Sequence, residues 1–140
     1  MQFHYLTRAV IKISQKLLLA REIGANYTFL PGVHIELGES AKNALIRELV
    51  EELGAVAQIN EFLGAVEHTW PSDCPANHEI NLLFAAQLEQ VTSNAAPRSC
   101  ESHLEFLWAD LTDLTQYNLQ PSPVIDLLNF PQTNWGSSFE

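Results

Sequence analysis

Short apolar runs bounded by polar residues recur along this chain, which is the pattern of β-strands. Two such runs, residues 9–13 and 17–20, are separated by three polar residues and predict a β-hairpin. Residues 24–38 are interrupted by Gly, Asn and Pro, so a loop with extended pieces is expected there. Three later runs predict further strands at 61–67, 80–88 and 104–109.

One segment has a helical period instead. Residues 41–53 predict an α-helix that begins after Ser40, a residue suited to the N-cap, and ends before Gly54, which can adopt the left-handed conformation typical of C′. Residues 123–129 predict a short second helix with Pro at its first turn. Strands before and after one long helix predict an α+β or α/β sandwich on a mixed β-sheet, in a single domain spanning residues 1–140.

Two polar segments, 68–78 and 90–103, separate the later strands and are expected to be loops. Loops of this length in a compact domain are usually functional or mobile. The last ten residues, 131–140, fit no element.

Acidic residues outnumber basic ones by 17 to 7, which gives a formal net charge of −10. Such a field opposes the capture of a polyanion, so polymeric nucleic acid and anionic membranes are not expected as partners. No apolar run reaches the length of a membrane-spanning helix, and the N-terminus lacks the apolar core of a signal peptide, so a cytoplasmic location is expected. Most of the basic residues lie in the first 35 positions, and the acid is concentrated further along the chain.

Three glutamates share one face of the predicted long helix, because Glu48, Glu51 and Glu52 stand at i, i+3 and i+4. Like charges at these spacings destabilise a helix. A divalent cation with oxygen ligands would offset the repulsion, and a solvated acidic face is the alternative explanation for the helix taken alone. The apolar stripe expected beside the glutamates consists of Leu45, Leu49, Leu53, Ile46 and Val50.

The surrounding residues decide between these explanations. Glu39 is preceded by Pro31-Gly32-Val33-His34-Ile35-Glu36-Leu37-Gly38 and followed after seven residues by Arg47-Glu48-Leu49-Val50-Glu51-Glu52-Leu53-Gly54. This pattern resembles the Nudix hydrolase signature, in which Gly is followed after five residues by Glu and, after seven more, by Arg-Glu-hydrophobic-x-Glu-Glu-x-Gly. Every defining position from Glu39 to Gly54 matches, and Val33 replaces the family's first glycine. A weaker likeness extends over residues 8–129.

The resemblance implies a Nudix αβα sandwich around a mixed sheet. It also implies hydrolysis of the diphosphate linkage in a small-molecule nucleotide, namely a nucleoside diphosphate joined to another group. The implied cofactor is Mg²⁺, with Mn²⁺ as an alternative, and a homodimer would be typical of the family. Glu39 and Arg47 would form a supporting pair, and Gly32 would contribute to substrate binding. The implied metal ligands and catalytic groups are Glu48, Glu51 and Glu52, with Glu48 alternatively accepting a proton from water.

Residues outside the signature complete the predicted site. Many Nudix enzymes take another carboxylate from elsewhere in the chain, and Glu105 and Glu101 are the first candidates, with Glu79 third. Arg8 and Arg21 are expected to bind substrate phosphate or a terminal acidic group, because Arg makes bidentate contacts to oxygen. His34 and His78 are the candidates for polar groups that line the substrate cleft. The candidates for aromatic stacking on a base are Phe29, Trp70 and Phe84, of which Phe84 is expected to pack in the core instead.

Other functions remain open at this stage. A non-catalytic Nudix-fold module that binds or senses a nucleotide is motivated by Val33, since a β-branched residue would be strained if that position required a positive φ. A calcium-binding structural protein is a further alternative, although the signature is not a calcium loop. Structural zinc at His68, Cys74 and His78 is not expected, because their spacing fits no standard zinc pattern.

Overall fold

The computed structural model describes residues 2–70 and 77–139. Helix α1 spans Ala41–Leu53, helix α2 spans Val124–Asn129, and a single turn of 3-10 helix covers Leu114–Tyr117. The strands, in chain order, are β1 (Gln2–Val10), β2 (Lys12–Ile13), β3 (Lys16–Glu22), β4 (Gly32–His34), β5 (Ala57–Trp70), β6 (Asn77–Leu88), β7 (Leu104–Asp110) and β8 (Trp135–Ser137).

The predicted hairpin is present between β2 and β3. Its two-residue turn is Ser14-Gln15, and both residues have positive φ, 51° and 67°. Two consecutive left-handed residues match the twist of the flanking strands, which explains the tight connection. Strand β1 begins at Gln2, well before the apolar run, because its first residues pair in parallel with β6 from Gln2–Asn77 onward.

A mixed sheet of five strands in the order β4-β1-β6-β5-β8 forms the centre of the fold, and a second sheet has the order β2-β3-β7. The expected loop at 68–78 is wrong at both ends, because β5 continues to Trp70, which pairs with Asn77 at the start of β6. The tail that fits no element in the sequence contains β8, which adds to β5 in parallel at Ala65–Trp135. In both places backbone hydrogen bonds supply order that the side-chain pattern does not reveal.

Helix α1 has the predicted bounds. The Ser40 hydroxyl accepts a hydrogen bond from the Asn43 amide at 3.1 Å, and Gly54 is left-handed with φ 63°. The apolar stripe is only partly as expected, because Ile46 and Val50 are exposed. The buried face of the helix instead consists of Ala44, Leu45, Leu49 and Glu52, so a carboxyl group takes a place in the core.

The two helices cover opposite faces of the sheets, which confirms the predicted helix–sheet–helix sandwich. Alternate residues of β3 point to the two sides, so Leu18 packs with α1 and Leu19 packs with α2. Phe84 is buried in the α1 layer, as expected. Among the described residues, no helix has the length and apolarity needed to span a membrane.

Candidate active site

Two carboxyl groups of α1 meet below the surface. Glu48 and Glu52 are one helical turn apart, and their side chains are hydrogen-bonded to each other. Glu52 is only 6% exposed, and the Glu48 side chain is 13% exposed. The pKa of Glu52 is raised above its ordinary value, mainly by burial and then by the hydrogen bond and the charge of Glu48. Without a bound cation Glu52 therefore keeps its proton at pH values at which an exposed glutamate is ionised.

Arg47 holds the loop before the helix against the helix itself. Its Nε and Nη2 donate to the two carboxylate oxygens of Glu39 at 2.8 and 3.0 Å, a bidentate ion pair. These bonds lower the pKa of Glu39 and raise that of Arg47. Arg47 Nη1 also lies 3.4 Å from Glu51, so Glu51 is turned toward this cation and is half exposed. The expected Glu39–Arg47 pair is thus present, and Glu51 stands apart from the Glu48–Glu52 pair.

The strand before the helix passes very close to β1. A Cβ on Gly32 would lie 2.0 Å from the carbonyl oxygen of Thr7 and 2.7 Å from Arg8 Cδ, so only glycine fits here. Val33 lies within β4, opposite Thr7, and does not have a positive φ. The strain that would have favoured a non-catalytic module is therefore absent, because the residue in the family's first glycine position is extended in this chain.

Arg8 lies between the helix carboxyls and another acidic group. Its Nε donates to Asn81 Oδ1 at 3.0 Å and its Nη1 to the Leu30 carbonyl at 3.1 Å. Burial lowers the pKa of Arg8, yet a guanidinium keeps its proton in proteins and remains a fixed positive charge. The carboxyl groups whose charges act on it are, in decreasing order, Glu79, Glu52 and Glu48.

The two candidate carboxylates outside the signature have different surroundings. Glu101 is close enough for its charge to contribute to the raised pKa of Glu52, and the neighbouring Cys100 amide donates to the Glu52 carbonyl at 2.6 Å. Glu105 instead accepts a hydrogen bond from Arg21 at 2.7 Å across β7 and β3. The structure therefore brings Glu101 to the α1 carboxyls and pairs Glu105 and Arg21 with each other.

A cleft adjoins Arg8 on the α2 side of the central sheet. It consists of two cavities of about 340 and 190 Å³ that share Arg8, Tyr27, Trp70 and Glu79 as lining residues. Tyr27 and Trp70 are in contact, with ring centroids 5.9 Å apart, and form one aromatic wall. Glu79 is buried at the base, where it accepts hydrogen bonds from Trp70 Nε1 and, at 2.7 Å, from Asn81 Nδ2.

Comparisons with known proteins identify the family. The family model described as NUDIX domain matches residues 4–128. The chain belongs to the Nudix family. The predicted family and the predicted fold class are both confirmed.

Individual relatives are more distant. An ADP-ribose pyrophosphatase of Methanocaldococcus jannaschii is 34% identical over 55 residues, which are 39% of this chain and 31% of that protein, so the match spans under a third of this curated relative's length. The solution structure of the E. coli ORF135 protein is 26% identical with a TM-score of 0.64, over 92% of this chain and 88% of that one. A MutT Nudix hydrolase from Burkholderia pseudomallei is 24% identical with a TM-score of 0.74, over 93% and 99%, and shares the fold.

The donor set of this Nudix chain fits a divalent cation. Glu48 and the buried Glu52 provide neighbouring oxygen ligands, and a cation would favour the ionised form of Glu52 that burial opposes. Within residues 2–70 and 77–139, no three His, Cys, Asp or Glu side chains converge as a closed metal cage. Mg²⁺ does not require such a cage, because it usually keeps several waters and takes one or two carboxylates together with substrate oxygens.

Three of the predicted cleft and stacking residues, His34, Phe29 and Trp70, line the cavities, whereas His78 and Phe84 do not. His34 lines the larger cavity beside His4, with His4 Nδ1 2.8 Å from His34 Nε2. Burial, and then the charges of His4 and Arg8, lower the pKa of His34. Phe29 lines the smaller cavity, whereas His78 lies on the opposite face of β6 against Phe3 and Phe139.

Sequence reasoning missed Tyr27, Asn81 and His4 as parts of this site. An available pattern was the recurrence of polar residues at every second position, 77, 79 and 81, which puts these three on one face of β6. His68, one of the residues considered for zinc, is buried, with its Nδ1 2.8 Å from Ser138 Oγ. Cys74 lies outside the described residues.

Proposed function

We propose that this chain is a metal-dependent pyrophosphohydrolase that cleaves the diphosphate linkage of a nucleoside diphosphate joined to another group. The observation that carries the proposal is the buried Glu48–Glu52 pair, whose charge acts on the fixed cation Arg8. A buried carboxyl group with a raised pKa, as Glu52 has, is costly for stability, and such groups concentrate at functional sites. Family membership supports the reaction class, and Arg8 connects the pair to a cleft large enough for part of a nucleotide.

Mg²⁺ is the proposed cofactor and Mn²⁺ its substitute. Glu48 and Glu52 would hold the cation, with Glu101 close by and Glu51 reaching the site after leaving Arg47. The bound cation would neutralise charge on the phosphoryl oxygens and favour ionisation of the attacking water.

The chain's own residues position the substrate and move the proton. Arg8 uses two N–H groups within the protein, and a guanidinium has five, so further donors can bind phosphate oxygens. Glu48 is the proposed proton acceptor, because it lies one helical turn from Glu52 and its side chain, 13% exposed, remains accessible to a water beside the pair. Arg47 and Glu39 fix the start of the helix, so the carboxyl pair keeps its orientation relative to β4.

A substrate panel with Mg²⁺ and with Mn²⁺ tests the proposal. It includes nucleoside triphosphates, dinucleoside polyphosphates and nucleotide sugars. It also includes ADP-ribose, which the name of the M. jannaschii relative mentions. We expect release of a nucleoside monophosphate from at least one member, and loss of most of that activity in Glu52→Gln. The control Glu61→Gln removes an exposed carboxylate of β5 and should retain full activity. Turnover by Glu52→Gln at the wild-type rate would contradict the role of Glu52.

The alternative of a nucleotide-sensing module loses its motivation, since Val33 occupies an ordinary strand position. The proposed partner is a small-molecule nucleotide. A homodimer, a cytoplasmic location and a single domain over residues 1–140 remain predictions, which mass photometry, cell fractionation and limited proteolysis would test respectively.

A further inference from the structure

Glu79 is a buried acidic group that the proposed reaction does not use. It is 6% exposed, lines both cavities of the cleft, and is close enough to Arg8 for the two charges to interact. A buried carboxylate needs hydrogen-bond donors, and the described residues supply two, Trp70 Nε1 and Asn81 Nδ2, one to each oxygen. Each carboxylate oxygen has two acceptor positions, so the group can accept two more donors from a molecule in the cleft.

The orientation of Glu79 is fixed by its neighbours. Asn81 accepts from Arg8 Nε at 3.0 Å and donates to Glu79 and to the Val66 carbonyl, so its amide has only one satisfactory orientation. Trp70 is held on its other side by His68, whose ring lies edge-on with centroids 4.4 Å apart. The carboxylate is therefore preorganised beside the Tyr27–Trp70 aromatic wall before any ligand enters.

The charge around Glu79 determines the kind of ligand that fits. Arg8 lies near Glu79 as a fixed cation and offsets its charge, which disfavours a positively charged amine at this carboxylate, although Glu22 also lines the smaller cavity and aromatic walls can bind a cation. A neutral planar group that stacks on the wall and donates two adjacent N–H groups suits this carboxylate better. Guanine has such an edge in N1–H and the 2-amino group. Adenine presents a ring-nitrogen acceptor at the corresponding position, which would face the carboxylate with like polarity.

We propose that Glu79 is a specificity-determining residue that reads the N1–H and 2-amino donors of a guanine base stacked on Tyr27 and Trp70. This inference rests on the proposed function, since it assumes that the ligand is a nucleotide. It extends that function by naming the base. Glu79 does not touch the phosphates in this arrangement, so its substitution changes which nucleotide binds while the α1 carboxyls are unaffected.

Metal-free binding separates this inference from the proposed reaction. GMP, IMP and AMP are titrated into the full chain in EDTA by calorimetry, with choline as a cationic probe. A hydrogen bond to a charged group corresponds to roughly a 10- to 100-fold change in affinity. We therefore expect GMP to bind about 10- to 100-fold more tightly than AMP, with IMP between them because it lacks the 2-amino group.

Two variants test the residue itself. Glu79→Gln keeps the shape but offers one acceptor, so the preference for GMP over AMP should fall to about threefold or less. Trp70→Phe keeps the aromatic surface and removes one donor that holds Glu79, so it should reduce the preference less. The matched control Glu89→Gln, an exposed position just past β6, should keep the wild-type preference. Circular dichroism establishes that each variant is folded.

Several results would overturn the inference. Equal binding of GMP and AMP by the wild type, an unchanged preference in Glu79→Gln, or choline binding more tightly than any nucleotide would each do so. The first and last need no variant, so an unfolded Glu79→Gln does not prevent a decision. Turnover of the substrate panel without base preference would refute the role of Glu79 alone, whereas selective GMP binding without any turnover would refute the proposed reaction alone.

Discussion

Replacing Glu52 with Gln should make the metal-free protein more stable while it removes activity. Burial and the neighbouring Glu48 raise the pKa of Glu52 from an ordinary value of 4.5 to about 9. In the folded state the group keeps a proton that it releases on unfolding, so the free energy of unfolding falls as the pH rises between these two values. Below the lower value both states are protonated, and this loss of stability does not occur.

The size of the effect follows from the width of that pH window. Each pH unit within it reduces the free energy of unfolding by about 1.4 kcal/mol while the folded state keeps its proton. Between about pH 5 and pH 8 the free energy of unfolding of the wild type should therefore fall by about 2 to 4 kcal/mol because of Glu52. Gln is uncharged at both pH values, nearly the same size, and able to donate a hydrogen bond to Glu48, so Glu52→Gln escapes this loss.

Urea unfolding in EDTA, followed by circular dichroism at several pH values, measures the difference. The expected gain of Glu52→Gln over the wild type is about 2 to 4 kcal/mol near pH 8 and under about 1 kcal/mol near pH 5. The exposed position Glu61→Gln controls for the change in net charge. If wild type and Glu52→Gln lose stability in parallel across this range, the carboxyl pair is ionised in the folded protein and the reasoning is wrong.

Three further outcomes follow from contacts around the site. Gly32→Ala should lower the free energy of unfolding by about 3 kcal/mol in urea titration, because its Cβ would overlap the Thr7 carbonyl oxygen; a loss under about 1 kcal/mol would contradict the observed close approach of β4 and β1. Ser40→Ala should lower the free energy of unfolding by about 1 kcal/mol, because it removes the N-cap hydrogen bond to the Asn43 amide. Ser40→Asp should keep most of that stability, and thermal melts of the two variants measure the difference. In steady-state kinetics with Mg²⁺, Glu101→Gln should lower kcat about tenfold or more and Glu105→Gln less than about threefold, and the reverse order would show that the Arg21–Glu105 pair opens during turnover.

Local features of the fold could be predicted from the sequence because their causes are local. Helix α1 has the bounds that its cap residues indicate, and the β2–β3 turn lies between the two apolar runs that predict it. Strand β8 and the first half of β1 could not be predicted in this way. Both pair in parallel with strands distant in the chain, and their residues are too polar or too irregular in pattern to predict a strand.

The candidate site likewise has a part that could be predicted from the sequence and a part that could not. The signature residues follow from fixed spacing along one loop and one helix, and the Glu39–Arg47 pair is present as expected. The choice of Glu101 over Glu105 as the carboxylate near the α1 glutamates depends on contacts between strands of the second sheet. Those contacts cannot be read from the sequence. Likewise Ile46 was expected in the buried stripe, but the structure gives a core position of α1 to Glu52.

The burial of Glu52 explains why an acidic protein can be suited to a phosphate-rich ligand. A chain with a net charge of −10 repels polyanions, and a solvated acidic helix face would add to the repulsion. With Glu52 buried and protonated, its charge is absent from the helix face, and Arg8 offers a fixed positive charge to a phosphate. A divalent cation that displaces the proton of Glu52 adds positive charge at the same position, so cation and diphosphate should bind cooperatively. The stability lost by burying this acid is thus recovered when a cation replaces the proton, and substrate binding adds to that gain.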